Sequence, residues 1–399
     1  MNKTKNSRLI NAAFIFSIII VGFNLVSILF PALIVRITSG SVDAPVSPFE
    51  IGPWAFPLLF TNVAILAIAL LYSRGKLPTI VKNTINFILK FETSKRITLV
   101  AFLVMLGIYI GLSVGELFQE EDWLDFHISV KPQIANWTFE NSVGPKYRIL
   151  ENFFLYLSYI TFQNMRIIPF VASILLVILT YFFTKEITEK RFAGLVAMVL
   201  VLQSHIFLEY DTTATYTNFW ILLYLFSVYL ILKKWQFSAF SYIISPVTKP
   251  LTGFFLPMTF YFILRSDLSK HEKIKVGFSY VVVSVILIII VMMFELNLPD
   301  NYITSRFWAG FSAIAYQLRF DFLLLIFILP VVVGLFKASK NGILHADSIM
   351  IFIAVNLLMH PILAGLGPNI HPYRYIPLIV FFAIAVGILL SNKIRKVEG

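Results

Sequence analysis

The sequence predicts an all-α membrane protein, a polytopic bundle of about twelve transmembrane helices with one longer external loop. Hydrophobic residues make up 58% of the 399 residues and charged residues only 13%, whereas a soluble domain is about 25% charged. The apolar residues are gathered into runs, and a membrane-spanning helix needs about 20 mostly apolar residues. The basic residues lie between those runs, where loops meet the membrane surface.

Twelve apolar runs divide the chain. They cover residues 11–35, 54–72, 97–114, 167–183, 192–208, 214–232, 237–247, 251–264, 276–294, 320–336, 348–366 and 375–391. The two runs at 237–247 and 251–264 are short and are separated by Pro250, so we expect a helical hairpin that crosses only part of the membrane. The first run is too long for a signal peptide and has no small-residue cleavage site, which predicts a retained span.

The basic residues predict the orientation of the chain. If the N-terminus is cytoplasmic, 23 of the 32 Lys and Arg residues lie on the cytoplasmic side, as the positive-inside bias of short loops requires. Both termini are then cytoplasmic, in the cytoplasmic membrane or its ER equivalent. We expect two additional spans and a basic linker in residues 1–96, the main transmembrane domain in 97–391, and a cytoplasmic tail in 392–399.

Composition also excludes several classes of function. The chain has no Cys, which excludes disulfides, thiol nucleophiles and Cys-ligated metal centres. The net charge of +11 comes from bases spread between apolar runs, so membrane lipids are expected as partners and nucleic acid is not. The sequence contains no Gly-rich nucleotide-binding loop, which argues against a nucleotide-sugar donor.

The longest external segment, residues 115–166, is where function is expected, because acidic and aromatic side chains alternate at its start. Aromatic neighbours at a membrane surface tune the proton affinity of a carboxylate for general-base chemistry. The acidic residues are Glu116, Glu120, Glu121, Asp122 and Asp125, followed by His127. Since no second His is near in sequence, no metal and no other cofactor is expected.

A second apolar stretch in this external segment, Ile149–Phe162, is predicted to be a helix lying in the membrane interface. If this stretch spanned the bilayer, every later loop would change sides and the basic bias would be lost. An apolar helix that does not span is accommodated at the interface.

Five short motifs follow one another along residues 97–391. They are Trp-Leu-Asp-Phe-His at 123–127, Arg-Ile-Ile-Pro at 166–169, Arg-Phe-Ala-Gly-Leu at 191–195, Thr-Lys-Pro at 248–250 and Arg-Tyr-Ile-Pro at 374–377. In this order, the motifs resemble those of the GT-C fold membrane glycosyltransferases that use polyprenyl-phosphate-linked sugars, such as dolichyl-phosphate-mannose protein mannosyltransferases and aminoarabinose transferases. The chain departs from that pattern because no Glu follows Asp125.

The resemblance implies sugar transfer on the external face, from a polyprenyl-phosphate sugar to an acceptor protein, lipid or glycan of the cell envelope. Such transfer needs a base for the acceptor proton. Asp125 is the first candidate, and Asp122 and Glu121 are alternatives because one helical turn exchanges their orientations. Glu209 and Asp211 are candidates for a second acidic site, although the basic residue of the family pattern is missing there.

Transfer also needs cations that hold the leaving phosphate. Lys249 and Arg374 are the candidates, because neither belongs to a cluster of cytoplasmic anchors. His371 and Tyr373, in the turn before the last run, are further candidates for contacting the donor. We expect Asp125, Lys249 and Arg374 to surround one outward-facing cavity.

Two other functional classes fit the composition. A transporter or flippase for lipid-linked sugars would also contain about a dozen spans, but it generally carries polar or charged residues at mid-membrane on broken helices. Apart from the Lys249 break, the apolar runs are nearly free of charge. A non-catalytic subunit of a membrane complex would instead use the acidic segment as a docking surface.

The topology leads to a direct labelling test. Because the chain lacks Cys, a single introduced cysteine reports the side of the membrane on which it lies. In sealed cells, Asp122→Cys should react with a membrane-impermeant maleimide, and Lys5→Cys should react only after permeabilisation. The reverse pattern would overturn the orientation.

Overall fold

The structure is a computed structural model of the chain. It describes residues 3–39, 47–138, 149–293, 302–318, 321–366 and 371–391. Within those ranges the regular structure is helical and contains no strand, and several helices are long and apolar. The all-α, multi-pass membrane class predicted from the sequence is therefore confirmed. The predicted tail at 392–399 lies outside the described residues.

Seven of the described helices are long and apolar enough to cross a bilayer. They are Ser7–Leu29, Ala55–Ser73, Lys95–Phe118, Ile167–Thr188, Phe322–Lys340, Ala346–Leu366 and Pro372–Leu389. Each corresponds to one of the predicted runs. Three shorter apolar helices occupy Ile149–Phe162, Arg191–Leu202 and Phe219–Lys233. A total of twelve crossings stays a prediction.

The remaining helices are mostly short. They are Pro31–Ser39, Thr79–Lys90, Lys131–Ala135, His205–Tyr210, Ser238–Thr248, Leu256–Arg265, Lys270–Met293 and Thr304–Leu318. Tight 3-10 turns occur at Val114–Phe118, Trp235–Phe237, Pro250–Phe255 and Pro372–Tyr375, and a π-helical turn at Phe126–Val130. The helix at Ile149–Phe162 has the predicted bounds, which confirms it as a helix.

The helices belong to two compact units that do not follow the chain linearly. The first comprises Met1–Thr93, Ile187–Ala197 and Pro299–Gly399, and the second comprises Ser94–Glu186 and Met198–Leu298. The change at Thr93 lies close to the predicted division at residue 96. The C-terminal part of the chain, however, packs with the N-terminal part, whereas the sequence interpretation grouped it with residues 97 onwards.

The first unit is built around the buried helix Ala346–Leu366. The helix Thr304–Leu318 approaches it so closely that a Cβ added to Gly310 would lie 2.5 Å from the Pro361 Cα. The first helix of the chain is joined to the same region by a hydrogen bond from Ser27 Oγ to the Phe311 carbonyl oxygen, 3.0 Å. Small and polar residues at close helix contacts are typical of membrane bundles, because they allow backbones to approach.

The second unit contains two interruptions of the helical pattern. The predicted break is present: the helix Ser238–Thr248 ends at Lys249, whose backbone is extended, and a 3-10 turn begins at Pro250. The hairpin that crosses only part of the membrane stays a prediction. Proline lacks the N–H that a continuing helix needs, which explains the break. The second interruption was not predicted. Residues 211–218 are irregular, and the run at 214–232 becomes helical only at Phe219.

The helix Thr79–Lys90 is amphipathic, and none of its residues is fully buried. Ile80 is 81% exposed and Phe87 is 66% exposed, while Lys82 and Lys90 are exposed at other positions around the helix. An apolar stripe beside basic side chains is typical of a helix lying in the headgroup region. It follows the candidate span Ala55–Ser73 after a short turn, so it begins close to a membrane surface.

A pair of fluorophores tests this position. At about 100° per residue, Ile88 and Lys90 project to opposite sides of the helix. In nanodiscs, a label on Ile88→Cys should be quenched by nitroxide lipids, and a label on Lys90→Cys by aqueous iodide. Equal iodide quenching of both labels would contradict the interfacial placement.

Candidate functional site

The centre of the second unit's polar region is a buried loop, which we define as residues 211–218. It connects the helices His205–Tyr210 and Phe219–Lys233 and has the sequence Asp-Thr-Thr-Ala-Thr-Tyr-Thr-Asn. All eight residues are buried. Buried polar backbone and hydroxyl groups are costly unless they are hydrogen-bonded, so the partners of this loop matter for the fold.

Glu121 supplies two of those partners. Its Oε2 accepts a hydrogen bond from the Ala214 backbone N–H at 2.8 Å, and its Oε1 accepts one from the Thr215 N–H at 3.1 Å. The side chain is only 4% exposed. Charge-assisted bonds of this kind are the strong ones. Both oxygens of this predicted base candidate therefore attach the acidic segment, residues 116–127, to the buried loop.

Arg166 fastens the same loop from another direction. Its Nε donates to the Thr212 carbonyl oxygen at 2.8 Å and its Nη2 to Thr212 Oγ1 at 2.9 Å, while Nη1 donates to the Gln119 carbonyl oxygen at 2.7 Å. Thr212 Oγ1 in turn donates to Glu116 Oε2 at 3.1 Å. The sequence identified Arg166 as a motif residue but did not assign it this clamping role.

A third attachment comes from the helix Ile149–Phe162. Glu151, which is buried, accepts a hydrogen bond from Thr217 Oγ1 at 2.8 Å. The helix also packs on the acidic segment, because Leu155 and Phe126 belong to one apolar cluster and Trp123 packs against it. The helix and the acidic segment are therefore in direct contact.

Asp211 begins the buried loop and is 1% exposed. Its Oδ2 accepts a hydrogen bond from Ser113 Oγ at 2.9 Å. Burial raises the pKa of its carboxyl to about 7, because a low-dielectric site disfavours the charged form. The nearby hydroxyls of Tyr109 and Ser113 lower the pKa in part.

Two charged groups also face the Asp211 carboxyl. The Glu116 carboxylate raises the pKa of Asp211 further, and the Arg166 guanidinium lowers it. Burial outweighs the hydroxyl groups and the guanidinium, so the pKa of the Asp211 carboxyl lies well above its usual range.

Asp125 lies on the exposed side of the same loop. Its Oδ2 accepts a hydrogen bond from the Tyr216 hydroxyl at 2.7 Å. The Tyr216 ring stands edge-on to Trp123, with ring centroids 5.4 Å apart, and Trp123 stacks on Tyr210 at 5.5 Å. Asp125 is therefore a solvent-exposed carboxylate held in position by an aromatic group. Asp122 is also exposed.

Lys249 is 7% exposed, and its Nζ lies 5.3 Å from the centroid of the Trp220 ring. This cation–π contact is worth more when it is shielded from water. Ser245 also contacts Trp220, because its Oγ donates a hydrogen bond to the Trp220 carbonyl oxygen at 2.7 Å. Trp220 follows the buried loop by two residues, so Lys249 is held near the loop's C-terminal end.

The other predicted site residues are placed elsewhere. Glu209 lies on the helix His205–Tyr210, where its Oε2 is 3.9 Å from His205 Nε2. Arg374 is half-buried in the first unit, and its Nε donates to the Tyr373 hydroxyl at 3.4 Å. The rings of His371 and Tyr373 stack at 6.0 Å. Those three residues therefore form a local group, and their sharing of a cavity with Asp125 and Lys249 stays a prediction.

A pocket of about 360 Å³ with a mixed polar and apolar lining opens beside the acidic segment. It is lined by Leu117, Phe118, Gln119, Glu120, Glu121, Phe126, Lys131, Tyr159, Gln163, Asn164, Met165 and Arg166. The pocket therefore combines amide, carboxylate and aromatic groups. Within the described parts of the chain, no three His, Asp or Glu side chains are arranged to hold a metal ion.

Fold and site together define a multi-pass helical membrane protein with a polar loop buried beneath an acidic segment. No protein-family model, curated protein or solved structure matches the chain. The resemblance to the GT-C fold glycosyltransferases consequently rests on the residues named above, and family membership stays a prediction.

The raised pKa of Asp211 leads to a prediction about stability. Between pH values of about 4 and 7 the folded protein keeps a proton that the unfolded chain releases, so the free energy of unfolding falls as the pH rises. Raising the pKa of Asp211 from 3.8 to about 7 makes the free energy of unfolding fall by about 4 kcal/mol as the pH rises through this range. Asp211→Asn should remove this decrease, and the melting temperature of the variant minus that of the wild type should increase from pH 5 to pH 8.

Differential scanning fluorimetry of the purified protein in detergent measures this difference. Asp122→Asn is the control, because Asp122 is exposed and should not alter the pH dependence. Parallel pH profiles for the wild type and Asp211→Asn would contradict the raised pKa.

Proposed function

We propose that this chain is a glycosyltransferase that moves a sugar from a polyprenyl-phosphate donor to an acceptor at the extracytoplasmic face of the membrane. The observation that carries the proposal is that two side chains of opposite charge are held by aromatic residues only four positions apart in the chain, Tyr216 and Trp220. Asp125, an exposed carboxylate, is held by Tyr216, and Lys249, a buried cation, is held by Trp220. Base and phosphate-binding cation are the two groups that the reaction requires.

Asp125 is the base in this proposal. An acceptor hydroxyl transfers its proton to the Asp125 carboxylate while its oxygen forms a bond to C1 of the sugar. The bond between C1 and the phosphate oxygen breaks, and the polyprenyl phosphate leaves with that electron pair. The exposure of Asp125 allows an acceptor to approach, whereas Glu121 is buried with both oxygens bonded. This contrast favours Asp125 over Glu121.

Lys249 stabilises the charge that develops on the leaving phosphate. A preorganised cation in a site shielded from water is worth far more than one in solution. Burying a cation is costly, and an incoming phosphate anion offsets that cost. Arg374, His371 and Tyr373 stay predicted contacts of the donor.

The 360 Å³ pocket supports sugar recognition. Small-molecule sites commonly combine aromatic walls with a few polar groups that fix orientation. Here Phe126 and Tyr159 supply aromatic surface, while Gln119, Gln163 and Asn164 supply amides. The pocket also borders Glu121, so it adjoins the attachment of the acidic segment to the buried loop.

A lipid-linked sugar transporter or flippase is the second candidate, and one observation favours it. Asp211 is a buried carboxyl whose pKa of about 7 suits reversible protonation, and transporters place such groups on interrupted helices. A transporter would move the donor across the bilayer without cleaving it. A docking subunit of a membrane complex would do neither.

Substitution of Asp125 tests the proposal. Asp125→Asn keeps the shape of the side chain and removes its basicity, so kcat should fall by about 10²–10⁴-fold. The dissociation constant of the donor should change little. The assay presents purified protein in nanodiscs with a panel of prenyl-phosphate sugars, and mass spectrometry identifies the glycosylated acceptor. Asp122→Asn is the matched control and should retain activity.

Lys249→Ala should instead weaken donor binding, by about 10-fold or more, because a charge-assisted contact to phosphate is lost. Isothermal titration with the donor measures this change. Full transfer activity in Asp125→Asn, Asp122→Asn and Glu121→Gln would leave the acidic segment without a catalytic role. That result would favour the docking-subunit interpretation.

A further inference from the structure

A lateral groove of about 280 Å³ runs along the candidate span Lys95–Phe118. Its apolar walls are formed by Met105, Ile108 and Leu112 on one side and by Val199, Leu202 and Leu208 on the other. The spacing of 105, 108 and 112 places those side chains on one face of a helix. The groove is thus parallel to a helix that is long and apolar enough to span the membrane.

Two of the apolar side chains that line the groove are exposed. Leu112 is 77% exposed and Ile108 is 58% exposed, and both belong to a candidate span whose mean hydropathy is 2.5. Apolar side chains exposed at that depth contact lipid chains rather than water. The apolar part of the groove therefore has the surface chemistry that suits a hydrocarbon chain.

One end of the groove is polar. Ser113 and Glu116 line it together with Gln203 and Tyr109. Ser113 donates to Asp211, and Glu116 accepts from Thr212. The groove therefore ends against the buried loop, whose Tyr216 holds Asp125.

The negative charge of Glu116 at the polar end of the groove determines which lipid headgroup fits there. Among the described residues, the groove wall contains one charged side chain, Glu116, and no basic one. Bringing a phosphate next to a carboxylate is unfavourable by several kcal/mol. A hydroxyl or amine, by contrast, donates hydrogen bonds to the carboxylate.

We propose that the groove binds a membrane lipid whose headgroup presents hydroxyl or amine groups, with its chain along residues 105–112 and its headgroup at Glu116. Resting on the proposed function, this lipid is the sugar acceptor. A hydroxyl oxygen of the headgroup forms a bond to C1 of the sugar, the hydroxyl proton passes to Asp125, and the polyprenyl phosphate leaves with the electron pair of the broken C1–O bond. The phosphate donor binds at Lys249 and not in this groove.

Photo-crosslinking of the full-length protein in nanodiscs tests the groove. The probes are dodecanol, dodecylamine and dodecyl phosphate, each with a diazirine at mid-chain, and mass spectrometry maps the labelled peptides. The alcohol and the amine should label residues 105–116 and 199–208, and the phosphate should label them about 10-fold less. Glu116→Gln should reduce labelling by the amine and leave labelling by the alcohol.

Bulky substitutions identify the site. Leu202→Trp and, separately, Leu112→Trp should fill the groove and abolish this labelling. Leu103→Trp is the matched control: Leu103 is exposed on the same helix but does not line the groove, so labelling should persist. Equal labelling by all three probes, or labelling unaffected by both groove variants, would overturn the proposal.

The transfer assay separates this inference from the proposed function. Labelling as expected with no sugar transfer to any acceptor would support the lipid site and contradict the glycosyltransferase. Transfer only to peptides or free glycans, with an unlabelled groove, would support the glycosyltransferase and overturn the lipid acceptor.

Discussion

The arrangement of the second unit depends on the bonds between the Glu121 carboxylate and two backbone N–H groups, those of Ala214 and Thr215. These two hydrogen bonds satisfy buried polar groups on both sides of the contact. The irregular loop 211–218 is buried, and its N–H groups need acceptors. The carboxylate is buried as well, and an unpaired buried charge is strongly destabilising. Each group is the other's partner, so the acidic segment and the loop stabilise each other by contact.

The acidic residues around the buried loop lie in different environments. Glu121 has both oxygens bonded, and Glu116 accepts from Thr212, which Arg166 also clamps. Asp125 is exposed and accepts a hydrogen bond from the Tyr216 hydroxyl, whereas Asp211 is buried and has a raised pKa. Five carboxylates, counting Glu151 on Thr217, thus contact or belong to one eight-residue loop, yet they differ in the chemistry they are able to perform. The proposed roles of base and proton-binding group follow from that difference.

The sequence predicted those features that depend on local pattern. Hydropathy gave the helical membrane class, the break at Lys249 followed from proline chemistry, and the helix Ile149–Phe162 followed from charge balance. The buried loop was missed because its Ala and Thr residues joined the strongly apolar Phe219–Lys233 in one averaged run. Partners such as Glu121 and Ala214 are separated by more than 90 residues, and hydropathy carries no information about such pairs. The grouping of the N- and C-terminal parts in one unit is non-local in the same way.

Hydrogen–deuterium exchange of the buried loop tests the central claim most directly. In the wild type, the amides of Ala214 and Thr215 should exchange slowly, because they are buried and bonded to a carboxylate. In Glu121→Gln they should exchange about 10- to 100-fold faster, since hydrogen bonds to charged groups contribute about 1.5–3 kcal/mol. Glu120→Gln, which removes exposed charge contacts with Lys131 and His127, should leave both rates unchanged. Rapid exchange in the wild type, or equal rates in wild type and Glu121→Gln, would contradict the account.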